Sequence, residues 1–181
     1  MRFCDVSNLP ICRGQGSIGS DKTSSAITMR IGTRLATVAM IGVMLCWPAY
    51  SQTTATRAER ELFSAVNQAR RAQGLQPLRW DESLAAAARR HATVMAERGS
   101  AQHGFEGEPS LSVRVKQAGG HFTWLAENVT QGPTPEFIHV QFMKSPPHRA
   151  NILDRDMDSI GVGVVEERGQ LFAVEDLSQA R

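Results

Sequence analysis

Five histidines fall after residue 51, and their settings differ. His103 lies in Ser100-Ala101-Gln102-His103-Gly104, a polar stretch behind a glycine helix stop, where no packing demand calls for an imidazole. His148 lies in Pro147-His148-Arg149, behind two prolines. Two neutral imidazoles can bind a divalent ion such as zinc, and a carboxylate nearby, Glu127, can orient a water. The separations along the chain match no short metal motif, so this chemistry exists only if the fold gathers the three residues. His91 sits on the apolar stripe of a helix and reads as a core histidine with a hydrogen-bond partner. His121 and His139 lie among mixed polar residues and read as surface or structural.

Other chemistries find little support. Asp154, Asp156 and Asp158 imitate the start of a calcium loop, but Ser159 stands where the turn glycine belongs and Val165 where the bidentate glutamate belongs. The segment reads as a solvated acidic loop. No serine lies in G-x-S-x-G and no glycine-rich phosphate loop opens a helix, which argues against serine hydrolases and nucleotide enzymes. Asn128-Val129-Thr130 is formally a glycosylation sequon.

The elements that must position these residues follow from periodicity. Thr56-Arg57-Ala58-Glu59 fits a capping box, Leu62, Val66 and Ala69 follow at helical spacing, and Gly74 closes the helix. Asp81 caps a second and longest helix with Leu84, Ala88, His91 and Met95 inward and Arg89, Arg90 and Glu97 outward, ended by Gly99. A short helix through Leu111, Val115 and Ala118 stops at Gly119-Gly120. Another runs from Thr134-Pro135 to Phe142, until Ser145-Pro146-Pro147 breaks it. The period then changes. Ile160, Val162 and Val164 alternate with glycines, and Leu171, Ala173 and Val174 follow Glu167-Arg168-Gly169-Gln170, as in a β-hairpin. With a strand expected around Glu127-Asn128-Val129, the class is α+β.

The N-terminal third reads as an address. Met29 opens a short basic stretch, an apolar run extends from Leu35 to Trp47, and Ala49-Tyr50-Ser51 offers small residues for a signal peptidase. A run of about 13 apolar residues falls short of the roughly 20 that span a bilayer. The expected organisation is an over-extended start at 1–28, a signal peptide at 29–51, a linker at 52–58 and one domain at 59–181. The protein is expected to be secreted, periplasmic or associated with the cell envelope, touching a membrane only through an uncleaved leader. All three cysteines, Cys4, Cys12 and Cys46, precede the domain. Residues 1–51 also hold five basic and two acidic side chains, so the formal charge of +2 falls to near −1 without them. No basic stripe remains to bind nucleic acid.

Taken in order, several segments resemble the CAP superfamily of SCP-like extracellular proteins, which includes plant pathogenesis-related and cysteine-rich secretory proteins. They are Asn67 and Arg70; Gly74 to Asp81; His91-Ala92 with Met95-Ala96; His103; Ala126-Glu127-Asn128-Val129; Ser145 to Leu153; and Ile160-Gly161-Val162-Gly163. The likeness covers Glu59 to Ser178 and is best to the bacterial, disulfide-free branch. It implies a three-layer α-β-α sandwich with a central antiparallel sheet. It also implies a shallow cleft of two histidines and two acidic residues, often occupied by zinc, onto which His103, His148 and Glu127 map. The fourth position departs from the family: Phe142 replaces a helical tryptophan, and Ser145 replaces the glutamate three residues on.

The function expected on this basis is an exported binding or interaction module for a lipid, peptide or cell-envelope ligand, with His103 and His148 as metal ligands. The alternative is a metal-assisted hydrolase in which Glu127 is the catalytic base. Catalysis is the less favoured of the two, because the second carboxylate is missing.

Overall fold

A computed structural model describes residues 54–179, so the expected signal peptide and the residues before it lie outside the described part. Helix α1 spans Arg57–Ala72, and its first turn is the expected capping box: Glu59 N–H donates to Thr56 Oγ1 while Thr56 N–H donates to Glu59 Oε2. The expected linker boundary after residue 58 therefore falls inside α1. At the far end Gly74 takes φ +70°, the Leu75 N–H reaches the Arg70 carbonyl and the Gly74 N–H reaches that of Arg71. This left-handed ending satisfies carbonyls that the helix leaves open.

Strand β1 is only Arg79–Trp80. Asp81 then caps α2, Glu82–Arg98, by accepting from the Ser83 and Leu84 N–H groups, and Gly99 ends it at φ +64°. After α3, Leu111–Gln117, come strand β2, Trp124–Gly132, and α4, Pro135–Lys144. The prolines at 146 and 147 do end α4, yet they also open α5, Pro146–Ile152, a helix that periodicity did not reveal. A missing N–H costs nothing in the first turn of a helix, so the same residues stop one and start the next. Strands β3, Ser159–Glu167, and β4, Gln170–Gln179, form the hairpin, joined through Arg168 and Gly169, both at positive φ.

The sheet order is β1-β3-β4-β2, with β3 and β2 antiparallel to β4. The expectation of an antiparallel sheet needs one correction, because β1 pairs parallel to β3. That edge is two residues long, and its sequence has no strand period to read.

Side-chain alternation divides the core into the expected layers. Ile160, Val162, Ala173 and Leu177 face Leu62 and Val66 of α1, Ile138 and Phe142 of α4, and Ile152 of α5. Val129, Phe172 and Val174 face Ala88, Ala92 and Met95 of α2, with α3 beside it. Helix α2 rests directly on β3. A Cβ on Gly161 would lie 2.0 Å from the Ala85 nitrogen, and one on Gly163 would lie 2.3 Å from the Ala88 carbonyl carbon. The alternating glycines are therefore a seat for the helix backbone.

Candidate functional site

The fold brings the three expected residues together at the β2 edge of the sheet. His103 comes from the loop after α2, Glu127 from β2, and His148 from the third position of α5. The two imidazole rings lie 6.5 Å apart between centres at 53°. His103 Nδ1 is 2.9 Å from Glu127 Oε1. The His103 side chain is 58% exposed, whereas that of Glu127 is 5% exposed. His148 is half-buried, its ring set edge-on against Phe142 at 5.3 Å. Burial, and after it the neighbouring His103, hold His148 below its ordinary pKa, which favours the neutral ring that can act as a ligand.

Beneath the histidines lies a buried charge network. Arg114 on α3 donates through Nη2 to Glu127 Oε2, and its Nη1 bonds the Pro109 carbonyl at 3.1 Å and lies 3.6 Å from Glu108 Oε1. Glu108 in turn is 2.6 Å from Nδ1 of His91. The other His91 nitrogen, Nε2, donates to the Gln102 carbonyl at 2.8 Å. His91 is thus the satisfied core histidine that its sequence setting suggested, and it also fastens the loop carrying His103. Across the β2–β4 ladder from Glu127 stands Asp176, fully enclosed, its two carboxyl oxygens without a donor. Burial, then the negative charge of Glu127, push Asp176 well above the usual carboxyl range, with Arg114 opposing. The protonated acid is the form that fits there.

An ion bound here would have to lie on the outer side. The bond from His103 Nδ1 to Glu127 leaves Nε2 for a ligand role, the common pattern in which a carboxylate orients a metal-binding imidazole. With metal–nitrogen distances of about 2.0–2.1 Å, two imidazoles sharing one ion have ring centres roughly 5 Å apart. The observed separation therefore asks for a shift of about 1 Å, which the exposed His103 can make. Among the described residues no three His, Cys, Asp or Glu side chains are gathered around one point. Among the described residues, two imidazoles supported by Glu127 are what such an ion would find, with water or a ligand at its remaining positions. Both oxygens of Glu127 are engaged, one by His103 and one by Arg114, and its side chain is 5% exposed, so it is tied as a support and turned little toward solvent.

Arg114, Glu108 and Asp176 are site residues that sequence reasoning missed. Glu175-Asp176 was readable as two adjacent acids inside an apolar strand; Arg114 was not, because it reads as an ordinary cation in a short helix. Helix α2 holds a smaller surprise: Arg89, expected outward, is largely covered and pairs with Glu59 at 2.8 Å and Glu82 at 2.6 Å. The sequon asparagine, Asn128, is fully buried, which closes it to glycosylation in the folded chain. In the acidic loop, Asp154 accepts from the Asp156 N–H and Asp158 pairs with Arg79.

The profile of the cysteine-rich secretory protein family, CAP, matches residues 63–176. The protein YkwD of Bacillus subtilis (strain 168), described as uncharacterized, is 34% identical over 109 residues, 60% of this chain and 42% of YkwD. The chain thus spans less than half the length of that relative. Among solved structures, an extracellular protein containing an SCP domain from Bacillus anthracis str. Ames aligns with a TM-score of 0.62 at 23% identity, over 67% of this chain and 40% of that one. An outer surface protein of Borrelia burgdorferi aligns with a TM-score of 0.63 at 19% identity, over 68% of this chain and 93% of that one. At these identities the structures speak to fold alone.

Proposed function

The chain belongs to the CAP family, and from that premise we propose that it is an exported binding module whose His103–His148 cleft holds a divalent ion such as zinc. The observation that carries this reading is the pair of imidazoles 6.5 Å apart across the sheet edge, one of them oriented by Glu127. Export is supported by the signal-like segment 29–51 and by relatives described as extracellular or outer-surface proteins. Among the described residues no helix is long and apolar enough to cross a membrane. The ligand class proposed is a lipid, peptide or cell-envelope component that reaches the cleft from outside.

The hydrolase alternative needs Glu127 as a free base. Its engagement with Arg114 and His103 favours binding over catalysis. The test is the zinc content of the purified protein beside His103→Ala and His148→Ala. Near-stoichiometric zinc that is lost in both variants is the expected result. No zinc uptake at neutral pH with zinc supplied would refute the metal part of the proposal and the hydrolase with it.

A further inference from the structure

On the sheet face opposite Glu127 lies a buried acid with no place in the cleft chemistry. Glu175 of β4 is fully enclosed. Its Oε2 accepts from Asn128 Nδ2 at 3.0 Å, and its Oε1 meets no donor. Asn128, also fully buried, is a junction of three elements. Its Nδ2 also donates to the His148 carbonyl at 3.3 Å, and its Oδ1 accepts from Asn151 Nδ2 at 2.9 Å. A continuous chain of hydrogen bonds therefore runs from β4 through β2 to α5, the helix that carries His148. Helix α5 has seven residues, no side-chain cap bond and one buried residue, Ile152. Arg70 holds its C-terminal end through the Ile152 carbonyl at 2.8 Å, and the half that bears His148 is held by the Asn128 junction and by the contact of the His148 ring with Phe142.

We infer that Glu175, as the neutral acid, is a positioning residue for His148: it anchors the Asn128 amide that docks α5, and its ionisation frees α5 from the sheet. That His148 matters rests on the cleft reading above, but the docking itself does not.

Beyond the Asn128 bond, the surroundings give a carboxylate no compensation. The covered ionisable side chains on the elements packed over this face are Glu59 and Arg70 on α1, His139 on α4 and His148 on α5. Glu59 is engaged by Arg89, and Arg70 by four backbone carbonyls. Burial holds both histidines toward the neutral ring. Opposite Glu175 on β3 is Val162, and Asp176 next in the chain points to the other face. Burial accordingly raises Glu175 to about 7, with the Asn128 bond acting in the opposite direction. An ionised Glu175 needs water, and among its covering elements α5 is the shortest to lift.

The direction with pH follows from linkage. The docked form keeps a proton that a hydrated glutamate releases above about 4.5. The Glu175 contribution to docking is therefore full below that pH, falls by up to about tenfold per unit as pH rises toward 7, and levels off above it, while the lowered His148 contributes in the opposite direction.

The experiment is amide hydrogen exchange on the metal-free protein from pH 4.5 to 8, corrected for intrinsic rates, comparing α5 with α2. The Arg149 and Leu153 amides, bonded to the Ser145 and Arg149 carbonyls, report α5. The expected result is an α5 opening constant larger than that of α2, with a rise toward pH 7 that is lost in Glu175→Gln, where only the opposite trend of His148 remains, and a high value at every pH in Glu175→Ala. An α5 opening level with pH while only the slowest α2 amides show the slope overturns the inference, because Glu175 then stays covered when α5 lifts. So does a rise with pH that survives in Glu175→Gln. The wild-type comparison decides even if a variant fails to fold, and zinc plays no part in it.

Discussion

Removing Arg114 tests whether the site around Glu127 rests on a buried charge balance. Its side chain is 4% exposed and that of Glu127 5%, so solvent screens their contact little. Breaking such a pair from one side costs about 3–5 kcal/mol, mostly the penalty of stranding the other charge. Arg114→Met also releases the Pro109 carbonyl, but Glu127 keeps His103, so about 3 kcal/mol is expected. Glu127→Gln leaves Arg114 with Glu108 and Pro109 and should cost about 1–2 kcal/mol. The double variant strands neither group, and its cost should fall about 2 kcal/mol below the sum of the single costs. Urea unfolding at pH 7 measures all four proteins. Costs that add within about 0.5 kcal/mol, or an Arg114→Met cost under about 1 kcal/mol, would refute a coupled buried network.

Three further outcomes follow from the same geometry. Gly161→Ala puts a methyl 2.0 Å from the Ala85 nitrogen, where backbone must move, so a loss of at least 3 kcal/mol is expected on the order of severe overpacking; a melting temperature unchanged within about 2 °C would contradict the helix seat. Arg70 bonds the carbonyls of Gln76, Ile152, Asp154 and Met157, and lysine has no planar fork to reach four of them, so Arg70→Lys should cost about 3 kcal/mol or more in chemical denaturation, and near-neutrality would be the contrary result. Folding raises Asp176 as well as Glu175, so the native state keeps protons that the unfolded chain has lost; Glu175 should cost up to about 1.4 kcal/mol of stability per unit between about pH 4.5 and 7, and Asp176 should add a loss that begins as pH rises through its ordinary carboxyl range, with His139 and His148 acting in the opposite direction. Melting scans of Asp176→Asn should show a shallower decline, and an unaltered slope would assign the pH dependence elsewhere.

How much of this was legible depends on whether a contact leaves a local trace. The capping box at Thr56, the Asp81 cap, the Gly99 stop and the Arg168-Gly169 turn all act within a few residues, and each is visible in sequence order. Helix α5 was hidden because Pro146 and Pro147 signal a break and a start with the same letters. Strand β1 was hidden because two residues hold no period. Asn67 and Arg70 stood out through the family resemblance, but their work is at long range: Asn67 pairs with both backbone groups of Leu78, and Arg70 gathers the segment after α5.

The site divides along the same line, with a consequence for its chemistry. His103, Glu127 and His148 were legible because their types are unusual where they stand. Arg114, Glu108 and Asp176 surround Glu127 only through the β2–β4 register and the packing of α3, neither of which any local window encodes. Yet these three decide what Glu127 can do. A glutamate facing only His103 would remain a candidate base; one also held by Arg114 and set over a protonated Asp176 has its charge already balanced inside the protein. Position 145, where the family resemblance implies a glutamate, holds a serine, while β4 keeps two acids under the sheet surface, beyond the reach of any substrate. Carboxyl groups withdrawn from solvent and bonded to His103 and Asn128 are the physical ground on which the proposed binding role is favoured over turnover.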